Sequence, residues 1–246
     1  MSQIFKVNGL ITFKGLIKLI RQGKYNSLNQ LDRQLEKYVN YDGGYFVELG
    51  ANDGVSQSNS LYFENHRGWH GLLVEPSPHN FLKCLKNRSP QNSIFCAACV
   101  AFDYEPEFVR MAYSNLMSTA LSLDSDIPDP QAHVKLGQQF LQGSEVLFEY
   151  GALARCLNDL LHEAQAPKVI DFLSLDVEGA ELEVLRGVNH DEYRFKYILV
   201  ECRDFQRMNK YLTQHGYNFL KNLSAHDYLF SSEQLPESAQ KSRVRA

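Results

Sequence analysis

What this 246-residue chain lacks narrows its class first. No stretch reaches the roughly 18 uncharged apolar residues that span a bilayer, because Lys6, Lys14 and Lys18 interrupt the apolar segment from Ile4 to Ile20. A secretory leader would need an unbroken apolar core and small residues at a cleavage point, and Arg21-Gln22-Gly23-Lys24-Tyr25 offers neither. There is no basic excess. Lys and Arg number 25 against 29 Asp and Glu, a net charge of −4, so the field that general nucleic-acid binding requires is missing and DNA or RNA is disfavoured as substrate. The five cysteines show no paired spacing, so a disulfide framework is not expected and a reduced compartment, the cytoplasm, is. Cys96 and Cys99 sit at metal spacing, but no two further ligands follow. Both fall in the apolar run from Ile94 to Val100, where cysteine packs as a small hydrophobe. A complete GxGxxG, which would cradle a dinucleotide pyrophosphate, is also absent.

What is present centres on Val47-Glu48-Leu49-Gly50-Ala51-Asn52-Asp53-Gly54. The apolar run from Tyr45 to Leu49 predicts a strand; two glycines and two small polar residues predict a tight turn; a helical pattern resumes near Ser58. Gly50 and Gly54 can take positive φ and let a ligand approach without a Cβ in the way. A second run, Gly71 to Pro76, predicts a buried strand ending in Glu75, roughly 20 residues on, the offset at which nucleotide-binding α/β folds reach a ribose diol. Charge chooses the ligand. A pyrophosphate wants helix-end N–H groups free of carboxylates, whereas Glu48 and Asp53 suit a ligand bringing a sulfonium and an ammonium, which is S-adenosyl-L-methionine (SAM).

These residues resemble class I SAM-dependent methyltransferases, and specifically the FkbM-like family. The resemblance rests on Gly43 to Gly54, on Val74-Glu75-Pro76 and on Leu175 to Gly187, and runs in order from about Leu31 to Ser231. It implies an O-methyltransferase of sugars or related natural products. Glu48, Gly50, Ala51, Asn52, Asp53 and Gly54 would hold the methionine part of SAM, with Ser58 and Asn59 as caps or further contacts. Glu75, with Pro76, would hold the ribose, and Asp176 would face the reactive centre.

Along the chain, strands alternate with helices, the pattern of a parallel sheet covered on both faces. The expected architecture is α/β, a Rossmann-like class I methyltransferase fold with a mostly parallel seven-stranded sheet. Residues 1–40 are expected to form a helical extension, 41–232 the methyltransferase domain and 233–246 a disordered polar tail. Leu16, Ile17 and Ile20 with Lys14, Lys18 and Arg21 predict a basic amphipathic helix, packed on the domain or a dimer partner in preference to a membrane surface. Asn29 to Val39 predicts a second helix, Ser58 to His66 and His79 to Asn87 two more, and Asn92 to Val100 the third strand. Between Ala101 and Gly151 the periodicity weakens: Phe108 to Tyr113 and Glu145 to Tyr150 predict strands, and Asp124 to Pro130 a loop. Ser118, Thr119 and His133 could reach the crevice, although a lone loop histidine is more often solvated. Ala154 to Ala164 predicts a helix, Val169 to Leu175 a strand ending at Asp176, and Glu178 the opening of another helix. Tyr197 to Cys202 predicts a strand ending near Glu201, Phe205 to His215 a helix, and Tyr217 to Leu220 and Tyr228 to Phe230 the closing strands.

The segment after Leu175 reads Asp176-Val177-Glu178-Gly179, without the proline and aromatic that would clamp a flat base. Its acids suit a hydroxyl-rich acceptor, because carboxylates accept several hydrogen bonds at once. Two mechanisms stand open. Asp176 or Glu178 is the general base, its pKa raised by burial and neighbouring acids, or Asp176 and Glu201 hold a divalent cation, Mg or Mn, that binds the acceptor oxygen. The alternatives are a SAM-fold scaffold without turnover and a methyltransferase of protein side chains. The expected acceptor is a small molecule or glycan.

Overall fold

A computed structural model of the chain describes residues 24–232. The predicted basic helix before residue 24 and the tail from 233 lie outside the described residues. The elements run α1 (Leu31–Leu35), β1 (Tyr45–Leu49), α2 (Leu61–Arg67), β2 (His70–Val74), α3 (Pro78–Asn87), β3 (Ser93–Phe95), β4 (Ala98–Val100), β5 (Phe108–Tyr113), β6 (Thr119–Ala120), α4 (Pro130–Gly137), β7 (Phe148–Cys156), α5 (Leu157–Glu163), β8 (Val169–Leu175), α6 (Glu181–Arg186), β9 (Arg194–Glu201), α7 (Phe205–Gln214), β10 (Asn218–Asn222) and β11 (Asp227–Ser231).

The main sheet has seven strands in the order β10-β11-β9-β8-β1-β2-β3. Strands β3, β2, β1, β8 and β9 are mutually parallel, and β11 inserts antiparallel between β9 and β10. This is the mostly parallel sheet of the class I methyltransferase fold. Alternation along each strand builds two cores. Val47, Leu49, Leu173, Leu175, Ile198 and Val200 pack with Leu157, Leu161, Leu185 and Leu212 on one face. Phe46, Leu73, Phe172 and Leu199 pack with Leu35, Phe63 and Trp69 on the other. Period-2 side-chain direction is what makes one strand feed both layers. Among the described residues no helix is long and apolar enough to cross a membrane.

A second, four-stranded sheet, β4-β7-β5-β6, was not legible in the sequence, and it revises several boundaries. The single strand expected over Asn92 to Val100 is broken at Cys96 and Ala97: β3 pairs with β2 in the main sheet, while β4 pairs with β7 in the other. The helix expected from Ala154 begins only at Leu157, because Ala154, Arg155 and Cys156 extend β7 alongside Ala98, Cys99 and Val100. Pairing partners here override the helix preference of alanine. The strand expected from Glu145 starts at Phe148, and β7 then runs antiparallel to β5 from Phe148 against Tyr113 to Leu153 against Phe108. The helix expected over Asn29 to Val39 is reduced to a short 3₁₀ turn and α1, since Asn29 and Gln30 both take positive φ. A helix, α4, follows the predicted loop, with Pro130 in its first turn and the Asp129 carboxylate accepting from Ala132 N–H.

Candidate active site

The carboxyl ends of β1, β2, β8 and β9 open onto one cavity of about 490 Å³, within the roughly 300–1,000 Å³ of small-molecule sites. This is the edge where parallel α/β sheets place ligands. The turn after β1 is held close to the turn after β8. Gly50 sits at φ +78, and a Cβ there would stand 1.8 Å from the Asp176 carbonyl oxygen, so only glycine fits. Gly50 and Ala51 N–H both donate to Val74 O, which draws the same turn onto the end of β2.

Most residues singled out from the sequence border this cavity: Glu48, Gly50, Ala51, Asn52, Ser58, Asn59, Glu75, Pro76, Asp176, Glu178 and Glu201. Asp53 and Gly54 do not. The Asp53 carboxylate instead accepts from Val55 N–H, Ser56 N–H and Ser56 Oγ, which closes the turn on itself. The expected charge of Glu48 is also spent within the protein. Alternation places Glu48 on the Phe46 face, where it accepts from Ser58 Oγ, Asn59 N–H and Ser60 Oγ and pairs at 3.1 Å with Arg88. Arg88 is fully buried and also holds Glu64 at 2.9 Å. The donor end of the cavity is therefore shaped by glycine and neutral amides more than by the two acids first expected there.

Glu75 is buried against the turn, its two oxygens accepting from Asn52 N–H at 2.8 Å and Ser77 N–H at 2.9 Å. Burial pushes its pKa up to about 7, the two N–H groups pull it back and Asp53 adds to the rise. The buried Asn59 donates through Nδ2 to Ser174 Oγ, leaving its Oδ1 without a protein partner.

At the other end stand the acids. Asp176 is half-buried, and desolvation together with Glu201, Glu178 and Glu181 drives its pKa well above the usual carboxylate range. Burial and the Glu178 charge raise Glu201 as well. The two share a hydrogen bond that favours the proton on Asp176. The cation expected between Asp176 and Glu201 meets a different arrangement. The two acids are hydrogen-bonded to each other, the Arg203 guanidinium lies 4.0 Å from Glu201 and 3.5 Å from Glu178, and among the described residues no three or more His, Cys, Asp or Glu are grouped to hold a metal ion. Glu178 does not open a helix. It sits at φ 56 in the turn before α6, its carbonyl accepting from Thr119 Oγ1 at 2.7 Å. Glu181 Oε1 accepts from Val177 N–H and Gly179 N–H and fixes the rest of that turn.

His133 departs furthest from expectation. It lies in α4, buried, with Nε2 2.9 Å from Glu178 Oε2, and it borders the cavity. Ser118 borders it too. Asn115, Asp227 and the Leu28-Asn29 segment also border it, and nothing in local periodicity marked them. Cys96 and Cys99 are free thiols, and burial pushes Cys99 up to about 12, which makes it inert packing.

A doubly wound sheet with a glycine turn, a ribose-height carboxylate and acids after the fourth and fifth parallel strands defines the class: a methyltransferase. The chain belongs to the methyltransferase FkbM domain family, whose sequence model matches residues 48–219. Among solved structures, the chain is similar to a methyltransferase FkbM from Methylobacillus flagellatus, with 14% identity over 78% of this chain and a TM-score of 0.44. It spans 44% of that protein's length. It is also similar to the N-terminal domain of human METTL16 in complex with SAH, with 12% identity over 82% of this chain and 68% of the other and a TM-score of 0.39. A putative RNA methyltransferase from Pyrococcus horikoshii shares 12% identity over 82% of each chain, at a TM-score of 0.40. At these identities the likeness concerns the fold alone. No curated protein matches the chain significantly.

Proposed function

We propose that this methyltransferase uses SAM and transfers the methyl group to a hydroxyl of a sugar, glycan or related polyol. The observation that carries the reading is the charge layout of the cavity. Among the described residues lining it, Arg203 is the sole Lys or Arg, and it is already engaged by Glu178 and Glu201. Among the described lining residues no free Lys or Arg awaits a phosphate, which counts against a dinucleotide at the donor end and a nucleic acid at the acceptor end.

The donor end fits SAM. The unpartnered Asn59 Oδ1 can accept from an ammonium, Gly50 leaves room for backbone approach, and the Glu75 oxygens retain lone pairs for a ribose diol. When bound, SAM supplies an activated methyl on a sulfonium. The protein's part is then to orient an acceptor and manage its proton. Asp176, its carboxyl pushed well above the usual range by desolvation and the neighbouring acids, is suited to fix an acceptor oxygen as a hydrogen-bond donor. Glu178, Glu201 and Asp227 offer acceptors for several hydroxyls at the mouth. The absence of proline or aromatic residues in Asp176 to Gly179 favours a polyol over a flat base.

Incubation of the purified chain with methyl-tritiated SAM and a panel of methyl glycosides tests the reading. Label in a glycoside methyl ether is expected. SAM binding with label transferred to protein side chains instead, or to nothing across the panel, would refute it.

A further inference from the structure

We propose that His133 is the general base that takes the acceptor's proton, with Glu178 as the positioning residue that aims and stabilises its ring. The inference rests on the O-methyltransferase reading and adds to it a catalytic residue carried by the second sheet's insert and not by the main sheet.

Geometry supplies the argument. Asp176, the acid nearest the main-sheet centre, is hydrogen-bonded to Glu201, so its carboxyl is engaged within that pair. Glu178 Oε2 is occupied from two sides, by His133 Nε2 at 2.9 Å and by the Arg203 guanidinium at 3.5 Å. His133 Nε2 lies buried 2.9 Å from Glu178 Oε2, at ion-pair distance, and the side chain borders the cavity. A carboxylate beside one ring nitrogen is the layout by which histidine bases are held in one tautomer, and it leaves Nδ1 as the nitrogen to take the acceptor's proton. The groups facing the ring are Glu178 from the turn after β8, with Arg203 behind it from the end of β9. Asp129 caps the helix that carries the ring, and the neighbouring 115–117 and 138–140 turns bring no charge.

The backbone around Glu178 is arranged for this aim. Glu178 and Gly179 take φ 56 and φ 103 in succession, a conformation a glutamate adopts at a cost, and Thr119 Oγ1 and Glu181 hold it there. Thr119 and His133 both belong to the segment between β5 and β7, so one insert fixes both ends of the pair.

In the step itself, His133 starts neutral with its proton on Nε2. The acceptor O–H proton passes to Nδ1 as the oxygen lone pair forms the bond to the methyl carbon. The sulfur–methyl bond breaks with its electron pair retained on sulfur, which gives SAH and a methyl ether. The resulting imidazolium is stabilised by the Glu178 carboxylate and loses its proton to solvent when product leaves.

Two measurements test this on the full chain. Nitrogen-15 NMR of the histidine rings, without any acceptor, is expected to show His133 as the Nε2–H tautomer, and the Glu178→Gln variant is expected to lose that preference. A ring protonated at Nδ1 at neutral pH overturns the proposal. In the glycoside assay, His133→Gln is expected to lose about 100-fold or more in kcat with KM for SAM unchanged and SAH still bound. His133→Gly is expected to regain part of the rate with added imidazole. A loss below about threefold in a variant that still binds SAH overturns it as well. Should no glycoside accept methyl from the wild type, the function reading fails, and the tautomer measurement still decides the His133 assignment.

Discussion

Glu75 permits a test of the donor site that needs no acceptor. Its pKa in the empty protein lies at about 7, raised by burial from the usual 4.5. Ribose hydroxyls donate hydrogen bonds, so SAH binds the ionised carboxylate in preference to the protonated acid. The sign follows: affinity must rise with pH through about 7 and level off above it. With one group titrating, the ionised fraction is about one-eleventh at about pH 6 and about ten-elevenths at about pH 8, so SAH affinity gains about tenfold, or roughly 1.4 kcal/mol. Binding near pH 7 should also release about half a proton. Isothermal titration calorimetry of SAH at three pH values, in buffers of different ionisation enthalpy, reads both quantities. Glu75→Gln should flatten the pH dependence and, by removing charged acceptors for two hydroxyls, weaken binding at about pH 8 by about 2–3 kcal/mol. A wild-type affinity that stays flat across this range would show that Glu75 does not contact the ligand through its charge.

Arg88→Met would leave Glu48 and Glu64 without their shared guanidinium on the buried face of α2. Breaking a buried pair from one side costs about 3–5 kcal/mol, and a loss below about 1 kcal/mol in urea unfolding would contradict the buried ion-pair assignment. Glu181 is buried, with a pKa pushed up to about 8. The unfolded chain therefore ionises it first, and its stability penalty grows from about pH 5 until it is complete above about pH 8. Glu181→Gln keeps an acceptor for Val177 and Gly179 N–H and removes that penalty, so the variant should gain about 3–5 kcal/mol over the wild type between about pH 5 and about pH 9. Parallel stability curves for the two proteins would contradict it.

The strands of the main sheet were legible because each is a short apolar run bounded by turn residues. The spans Tyr45 to Leu49 and Val169 to Leu175 coincide with β1 and β8, and in the second sheet Phe108 to Tyr113 coincides with β5. Periodicity could not show that Cys96 and Ala97 break a continuous apolar run, because the break is imposed by a partner strand more than 50 residues away. Charge identity in the motif was legible, but charge availability was not. Glu48 and Asp53 read as a cradle for a cation, while their carboxylates are satisfied by Arg88 and by the Asp53 turn, contacts that only the folded chain reveals. The same limit hid His133, which a sequence places in a loop and the fold places on a helix against Glu178.

The strand-end acids and the insert explain each other's geometry. A turn of the sequence Asp176-Val-Glu-Gly179 could cap α6 with an ordinary right-handed backbone and leave Glu178 in solvent, at no conformational cost. Instead Glu178 is held in the left-handed region, which costs of order 1 kcal/mol or more for a residue with a Cβ, and the neighbouring carbonyl and N–H groups are tied down by Thr119 and by the buried Glu181. A Cβ at Gly179 would in addition meet Ser125 Oγ at 2.3 Å, so the insert packs directly on the strained turn. Three features meet at this turn: the strained φ of Glu178, the buried Glu181 with its raised pKa, and the second sheet packed against it. Capping a six-residue helix does not require any of them, whereas together they hold the Glu178 carboxylate 2.9 Å from the His133 ring.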